Sequence, residues 1–128
     1  MVKSSVKKII LLGLVAVLAA GSYMSVLAGV TFNVTEPYLS RLGVDNYVVS
    51  GSASCSSDNS TSYYMVDEVY AYTYENGKLN EYKNYGYGYG VASAMTERMN
   101  VRPAYRSNTG WYKNGSTLVE IDKKEIRN

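Results

Sequence analysis

The chain has 128 residues, a formal net charge of +2, one cysteine, 14 tyrosines and no histidine. The lack of histidine excludes Ser-His-Asp and Cys-His catalysis, the most common general base and most zinc sites. Walker, GxSxG and HExxH motifs are also absent from the sequence, so we expect a non-enzymatic protein with no cofactor and no metal.

The N-terminal segment predicts export. Its first eight residues contain three lysines and no acid, and an uncharged apolar run follows over residues 9–20. This run suits a secretory signal peptide and is short for a membrane-spanning helix, which needs about 20 residues. The residues that end at Ala28 include the small or β-branched side chains of a signal-peptidase site. We therefore predict cleavage after Ala28 rather than after Ala20. The alternative is an uncleaved anchor over residues 9–30.

Removal of residues 1–28 changes the charge balance. The remainder has ten basic and eleven acidic residues, a formal net charge of −1. Nucleic acid is therefore not expected as a partner, since it requires a clustered basic surface. We predict a secreted, extracellular protein that meets the membrane only through its signal peptide. Residues 29–122 would form one domain and residues 123–128 a charged tail.

Apolar and polar side chains alternate over residues 30–35, as they do in a β-strand with one buried face. Val30, Phe32 and Val34 share one face of a predicted strand over residues 30–35, which Pro37 ends because proline cannot donate to a ladder. Residues 36–46 are predicted to be mostly connecting, residues 47–54 a second strand, and residues 56–62 a polar loop.

A hairpin is the clearest local prediction. The pair Asn76-Gly77 readily takes positive φ at both positions, as a type I′ turn requires. It would join antiparallel strands over residues 66–74 and 79–85.

Glycine and tyrosine then alternate. In an extended segment Tyr85, Tyr87 and Tyr89 line one face and the glycines at 86, 88 and 90 the other, which favours close packing or a bend on the glycine side. A flexible Gly-Tyr segment is the alternative. Residues 91–101 fit either helical or strand spacing, and the strand-like neighbours favour a strand.

Short strands and turns continue to the C-terminus. Residues 104–106 begin a strand, residues 108–110 are predicted to turn, and Asn114-Gly115 predicts a second hairpin that ends near Ile121. Seven or eight short strands with frequent turns predict an all-β fold, either a small antiparallel β-sandwich or a small open barrel.

Tyrosine is the most unusual feature of the composition, because it offers a large apolar ring with a polar tip. The alternative is that these rings fill the core, since tyrosine packs well on pleated surfaces. If they are exposed, they could contact cell-wall glycan or another surface protein. The predicted binding residues are Tyr70, Tyr72, Tyr74, Tyr85, Tyr87, Tyr89 and Trp111.

A single cysteine cannot form an internal disulfide. Cys55 is then either a small buried side chain near a strand end or the bridge of a disulfide-linked dimer, since export leads to an oxidising compartment. A reactive nucleophile is the least favoured alternative, because the chain has no histidine to activate the thiol.

The overall layout resembles small secreted β-sandwich proteins of Gram-positive bacteria. The resemblance rests on the lysine-led signal peptide, the serine-rich strands, and the stretches over residues 69–78 and 104–112. The chain is similar, more distantly, to lactococcin-like bacteriocins in its size and polar β-rich character. This likeness implies a small exported β-sandwich that acts at the cell envelope, with bacteriocin-like antimicrobial activity as the alternative to binding alone. It assigns no functional residue.

Overall fold

The computed structural model describes residues 26–27, 29–57 and 62–128. Most of the predicted signal peptide, including Ala28, and most of the predicted 56–62 loop lie outside them. Within the described residues the protein is all-β, and none of them forms a helix able to span a membrane. The strands are β1 (Val26–Leu27), β2 (Val30–Val34), β3 (Tyr38–Gly43), β4 (Asn46–Ser57), β5 (Tyr64–Glu75), β6 (Lys78–Tyr89), β7 (Val91–Met95), β8 (Tyr105–Asn114) and β9 (Thr117–Arg127).

The strands form two antiparallel sheets, which we call the β4 sheet and the β5 sheet. In the β4 sheet, β2 and β3 pair with one edge of β4 in succession, β7 pairs with its other edge, and β1 adds to β2. The β5 sheet has the order β6-β5-β8-β9. The sheets share a core cluster that joins Phe32 and Val34 of the first to Met65 and Tyr112 of the second, so they pack against each other.

The first predicted strand is confirmed. Val30, Phe32 and Val34 alternate with more exposed neighbours and are all buried, and Pro37 follows the strand as expected. The predicted cleavage site lies between β1 and β2. Cleavage after Ala28 would remove β1, whereas cleavage after Ala20 would keep it.

Residues 36–46 are not mostly connecting, because Tyr38–Gly43 form the edge strand β3. Both faces of this strand are largely exposed, so its sequence lacks the alternation that marks a half-buried strand. The first part of the 91–101 segment is a strand, as favoured. After Met95 the Thr96 N–H donates to the Val49 carbonyl (2.9 Å) and Met99 forms an isolated bridge with Tyr47.

Both hairpins form. Asn76 and Gly77 have φ values of 55° and 73°, which confirms the type I′ prediction. In the second hairpin Asn114 pairs with Thr117. The turn is therefore Gly115-Ser116, with φ of 66° at Gly115, one residue later than the Asn-Gly pair suggests.

We expect Gly77→Val to destabilise the protein by more than about 1 kcal/mol, because a β-branched residue resists positive φ. Thermal unfolding monitored by circular dichroism checks this. Lys78→Val is the control, since it places the same side chain in the adjacent exposed strand position. Equal melting midpoints for Gly77→Val and the parent would show that this turn does not require glycine for the stability of the protein.

The predicted turn over residues 108–110 is wrong, because these residues lie inside β8. Asn108 is buried and its Nδ2 donates to the carbonyl oxygens of Thr35 (2.9 Å) and Ser52 (3.2 Å) in the facing β4 sheet. A Cβ added to Gly51 would lie 2.3 Å from Asn108 Cγ. A glycine is therefore required where this side chain crosses between the sheets.

The predicted charged tail is paired with β8, since β9 continues to Arg127. The charged sequence of this segment fits both an edge strand and an unpaired end, because edge strands often carry charged side chains. Cys55 is half-buried against the core cluster that contains Phe32.

Candidate functional site: the aromatic face

Strand register places all seven sequence-predicted binding residues on one face. Within β5, alternate residues from Met65 to Thr73 point into the core and are buried. The other set, which contains the tyrosines, points away from the β4 sheet. Pairing places Tyr85, Tyr87 and Tyr89 of β6, and Tyr105 and Trp111 of β8, on the same side as these tyrosines. We call this outer surface of the β5 sheet the aromatic face; its rings are Tyr64, Tyr70, Tyr72, Tyr74, Tyr85, Tyr87, Tyr89, Tyr105 and Trp111.

The outward direction of Tyr85, Tyr87 and Tyr89 follows from the glycines that alternate with them in β6. A Cβ added to Gly86 would lie 1.7 Å from the Ser93 carbonyl oxygen, and one added to Gly88 would lie 2.4 Å from that of Val91. The inner side of β6 therefore rests directly on the backbone of β7. Only glycine permits this approach, as the alternating sequence suggested, and the tyrosine side faces solvent.

Gly90 is the corner where the chain changes sheets. Its φ is 78°. Its N–H donates to the Tyr63 carbonyl (2.9 Å) and its carbonyl accepts from the Cys55 N–H (2.9 Å). Because Gly90 is hydrogen-bonded toward both sheets, β6, which carries the exposed tyrosines, is anchored at its C-terminal end.

The three tyrosines that alternate with glycine in β6 are not core residues. Tyr85, Tyr87 and Tyr89 are 44%, 62% and 75% exposed. Tyr87 stacks with Tyr85 (centroids 6.5 Å apart) and with Tyr64 (6.4 Å). The rings therefore contact one another while much of their surface stays exposed.

The aromatic face divides into two groups of rings. The first contains Tyr64, Tyr85, Tyr87, Tyr89 and Trp111, and the second contains Tyr70, Tyr72, Tyr74 and Tyr105. An ion pair lies between them, with Lys83 Nζ 3.8 Å from Glu68 Oε2.

The second group is largely bonded within the protein. The hydroxyls of Tyr70 and Tyr105 donate to the carboxylates of Glu81 and Glu125. Desolvation, followed by these hydrogen bonds, raises the pKa of each tyrosine to about 12. Tyr72 stacks on Tyr105 with centroids 5.3 Å apart. These contacts stabilise the sheet and leave less ring surface for a ligand.

Three rings of the first group, Tyr85, Tyr87 and Trp111, line a depression of about 340 Å³. Val66 is paired with Tyr87 on one side and Trp111 on the other, so a small buried residue lies between two large rings. Glu68 lies in the next row beside Tyr85. Desolvation and a hydrogen bond to Glu68 raise the pKa of Tyr85. The depression thus combines aromatic walls, an apolar floor and one carboxylate.

Sequence reasoning missed Tyr64, Glu68 and Leu118, which line or adjoin this depression. Tyr64 and Glu68 share the parity of the predicted β5 tyrosines, so the strand pattern could have identified them. Asp67 and Glu68 are neighbours in β5 and point to opposite faces, and Asp67 is fully buried. Leu118 carries no such signal, because the bulge at Gly110–Trp111 shifts the register of β9.

A larger and more open trough of about 620 Å³ lies on the outer side of the β4 sheet. Small residues such as Ser50, Ser52 and Ser93 form much of its lining, with Tyr38 as its one ring. It therefore offers a partner fewer rigid contact groups than the aromatic face. Within the described ranges, no group of three or more acidic or cysteine side chains could hold a metal ion.

The chain matches no protein-family model, no curated protein and no solved structure. Its function is therefore argued from its own residues.

Proposed function

We propose that this chain is an exported, non-enzymatic binding protein that works by surface contact at the cell envelope. Its contact surface is the first aromatic group, centred on Tyr85, Tyr87 and Tyr89. The finding that carries this proposal is the exposure of these three rings on a strand whose other side is packed against β7.

Exposed rings of this kind favour binding for an energetic reason. Tyrosine has few rotatable bonds, so it loses little entropy when it contacts a partner. Stacking between Tyr85, Tyr87 and Tyr64 restricts the rings further before any ligand arrives. A contiguous apolar patch on a small protein typically marks an interaction site, and preorganisation lowers the cost of binding.

The experiment is retention of the purified protein on insoluble cell-envelope material. We expect the triple variant Tyr85→Ser/Tyr87→Ser/Tyr89→Ser to remain folded and to lose about tenfold or more of its retention, because central aromatic residues each contribute more than about 1 kcal/mol to typical interfaces. Folding is checked by circular dichroism.

The matched control removes exposed apolar surface from the other sheet, through Tyr38→Ser/Leu42→Ser/Val44→Ser. These residues are 67%, 59% and 80% exposed, so a general effect of surface apolarity would lower retention in both variants. Loss only in the β6 variant supports the proposal. A folded β6 variant that binds as well as the parent would end it.

A further inference from the structure

We propose that the depression beside Trp111 is a subsite for one neutral sugar unit of a glycan, with Glu68 as its hydrogen-bond acceptor. This inference rests on the proposed function and names the ligand class of the same surface.

The shape of the depression suits a flat ring. Val66 is 5% exposed and lies between Tyr87 and Trp111 in one cross-strand row. The volume of about 340 Å³ is at the lower end of the range for small-molecule sites. A sugar ring could lie over Val66 with its C–H groups against the neighbouring ring faces, which carry the negative part of the aromatic quadrupole.

The polar group selects the chemistry of the ligand. The Glu68 side chain is 18% exposed and lies 3.8 Å from Lys83 Nζ. An ionised carboxylate only accepts hydrogen bonds and has about four acceptor positions. Tyr85 and Lys83 do not use all of them, so Glu68 can accept from a ligand hydroxyl.

Other ligand classes fit less well. An apolar peptide side chain would press against Glu68 and desolvate a charge without replacing its hydrogen bonds. A phosphate or sulfate group would meet like charge at this carboxylate. A neutral sugar offers both an apolar face for the rings and hydroxyl donors for Glu68.

Trp111 reports on this site directly, because it is the single tryptophan of the chain. The experiment titrates selectively excited tryptophan fluorescence of the full protein with two neutral probes, an N-acetylglucosamine tetramer and a glucose tetramer. A sulfated glycan and an apolar peptide serve as competing classes. We expect a saturable change with at least one neutral probe and none with the other two classes.

Glu68→Gln keeps the shape of the side chain and removes its charge. We expect it to weaken binding of the neutral probe by about tenfold or more, because a hydrogen bond to a charged acceptor is stronger than one to a neutral acceptor. Glu81→Gln is the control, because Glu81 accepts from Tyr70 in the second aromatic group. It should leave the affinity unchanged.

The outcomes separate this inference from the proposed function. If the β6 triple variant loses retention on envelope material but neither neutral probe changes the fluorescence, the sugar subsite is wrong and the binding surface remains. Equal affinities for Glu68→Gln and the parent would overturn the role of Glu68. Saturable binding of the sulfated glycan or the peptide in place of the neutral probes would assign the site to that class and overturn the proposal.

Discussion

Replacing Gly86 by alanine is expected to destabilise the protein by about 3 kcal/mol or more. The added Cβ would lie 1.7 Å from the Ser93 carbonyl oxygen and 2.5 Å from its carbonyl carbon. Both atoms belong to the backbone of β7, which pairs with β4 along its whole length. The overlap can therefore be relieved only by moving β6 away from β7 or by distorting the β4 sheet.

Gly88→Ala gives a graded comparison. Its Cβ would lie 2.4 Å from the Val91 carbonyl oxygen, so we expect a smaller loss. Ser93→Ala is the control, because that side chain is exposed and surface changes typically stay within about 0.5 kcal/mol. Urea unfolding followed by circular dichroism measures all three. A Gly86→Ala variant as stable as Ser93→Ala would show that β6 does not rest on β7.

The second large effect is a loss of stability as the pH rises from about 4 to 7, because of Asp67. This carboxyl is fully buried and neither oxygen has a hydrogen-bond partner of good geometry. The residues paired with Asp67 on its two neighbouring strands are Gly86 and Gly110. Neither has a side chain that could hydrogen-bond to the buried carboxylate in place of water. Desolvation is the main cause that raises the pKa of Asp67 to about 7. The Asn108 side chain lowers this pKa, and repulsion from Glu68 raises it.

The sign follows from proton binding. Below the unfolded-state pKa of 3.8 both states hold the proton, so Asp67 does not disfavour folding. Between 3.8 and about 7 the unfolded chain is ionised and the folded protein remains protonated, so stability falls by about 1.4 kcal/mol per pH unit. The whole effect is on the order of 4 kcal/mol and is complete above the folded-state pKa. Burial also raises the pKa of Asp122, and this acts in the same direction.

Asp67→Asn isolates the effect, because the amide has a similar shape and does not ionise. We expect the variant to be more stable than the parent at pH 8 and to lose most of the parent's dependence on pH. Asp45→Asn, at an exposed turn, should leave that dependence unchanged. Parallel stability profiles for Asp67→Asn and the parent between pH 5 and 8, measured by urea unfolding, would contradict a protonated Asp67.

Local chemistry predicted several elements correctly. The type I′ turn at Asn76-Gly77 depends on the backbone preferences of two residues, and no distant contact is needed to form it. The buried face of β2 follows from strict alternation in one short segment. The Gly-Tyr stretch predicted close packing on its glycine side, and the alternating spacing required the tyrosines to share the opposite side.

Other features depended on contacts between segments that are distant along the chain. Asn108 resembles a turn residue in its local sequence, yet it lies in a strand because its amide satisfies backbone carbonyls of the facing sheet. The exposure of Tyr85, Tyr87 and Tyr89 also required β7, since periodicity shows that residues share a face but does not show which face is covered.

The sequence by itself therefore determined the all-β class, both hairpins and the residues that share a strand face. Only the tertiary structure decided which face of β6 is covered, that neither Asp67 oxygen has a hydrogen-bond partner of good geometry, and that the aromatic residues form two groups with Glu68 and Lys83 between them. The physical reason is the distance along the chain between the residues that determine each feature. Turn geometry and side-chain alternation are set by neighbouring residues, whereas burial and strand register are set by which distant segment packs or pairs against them.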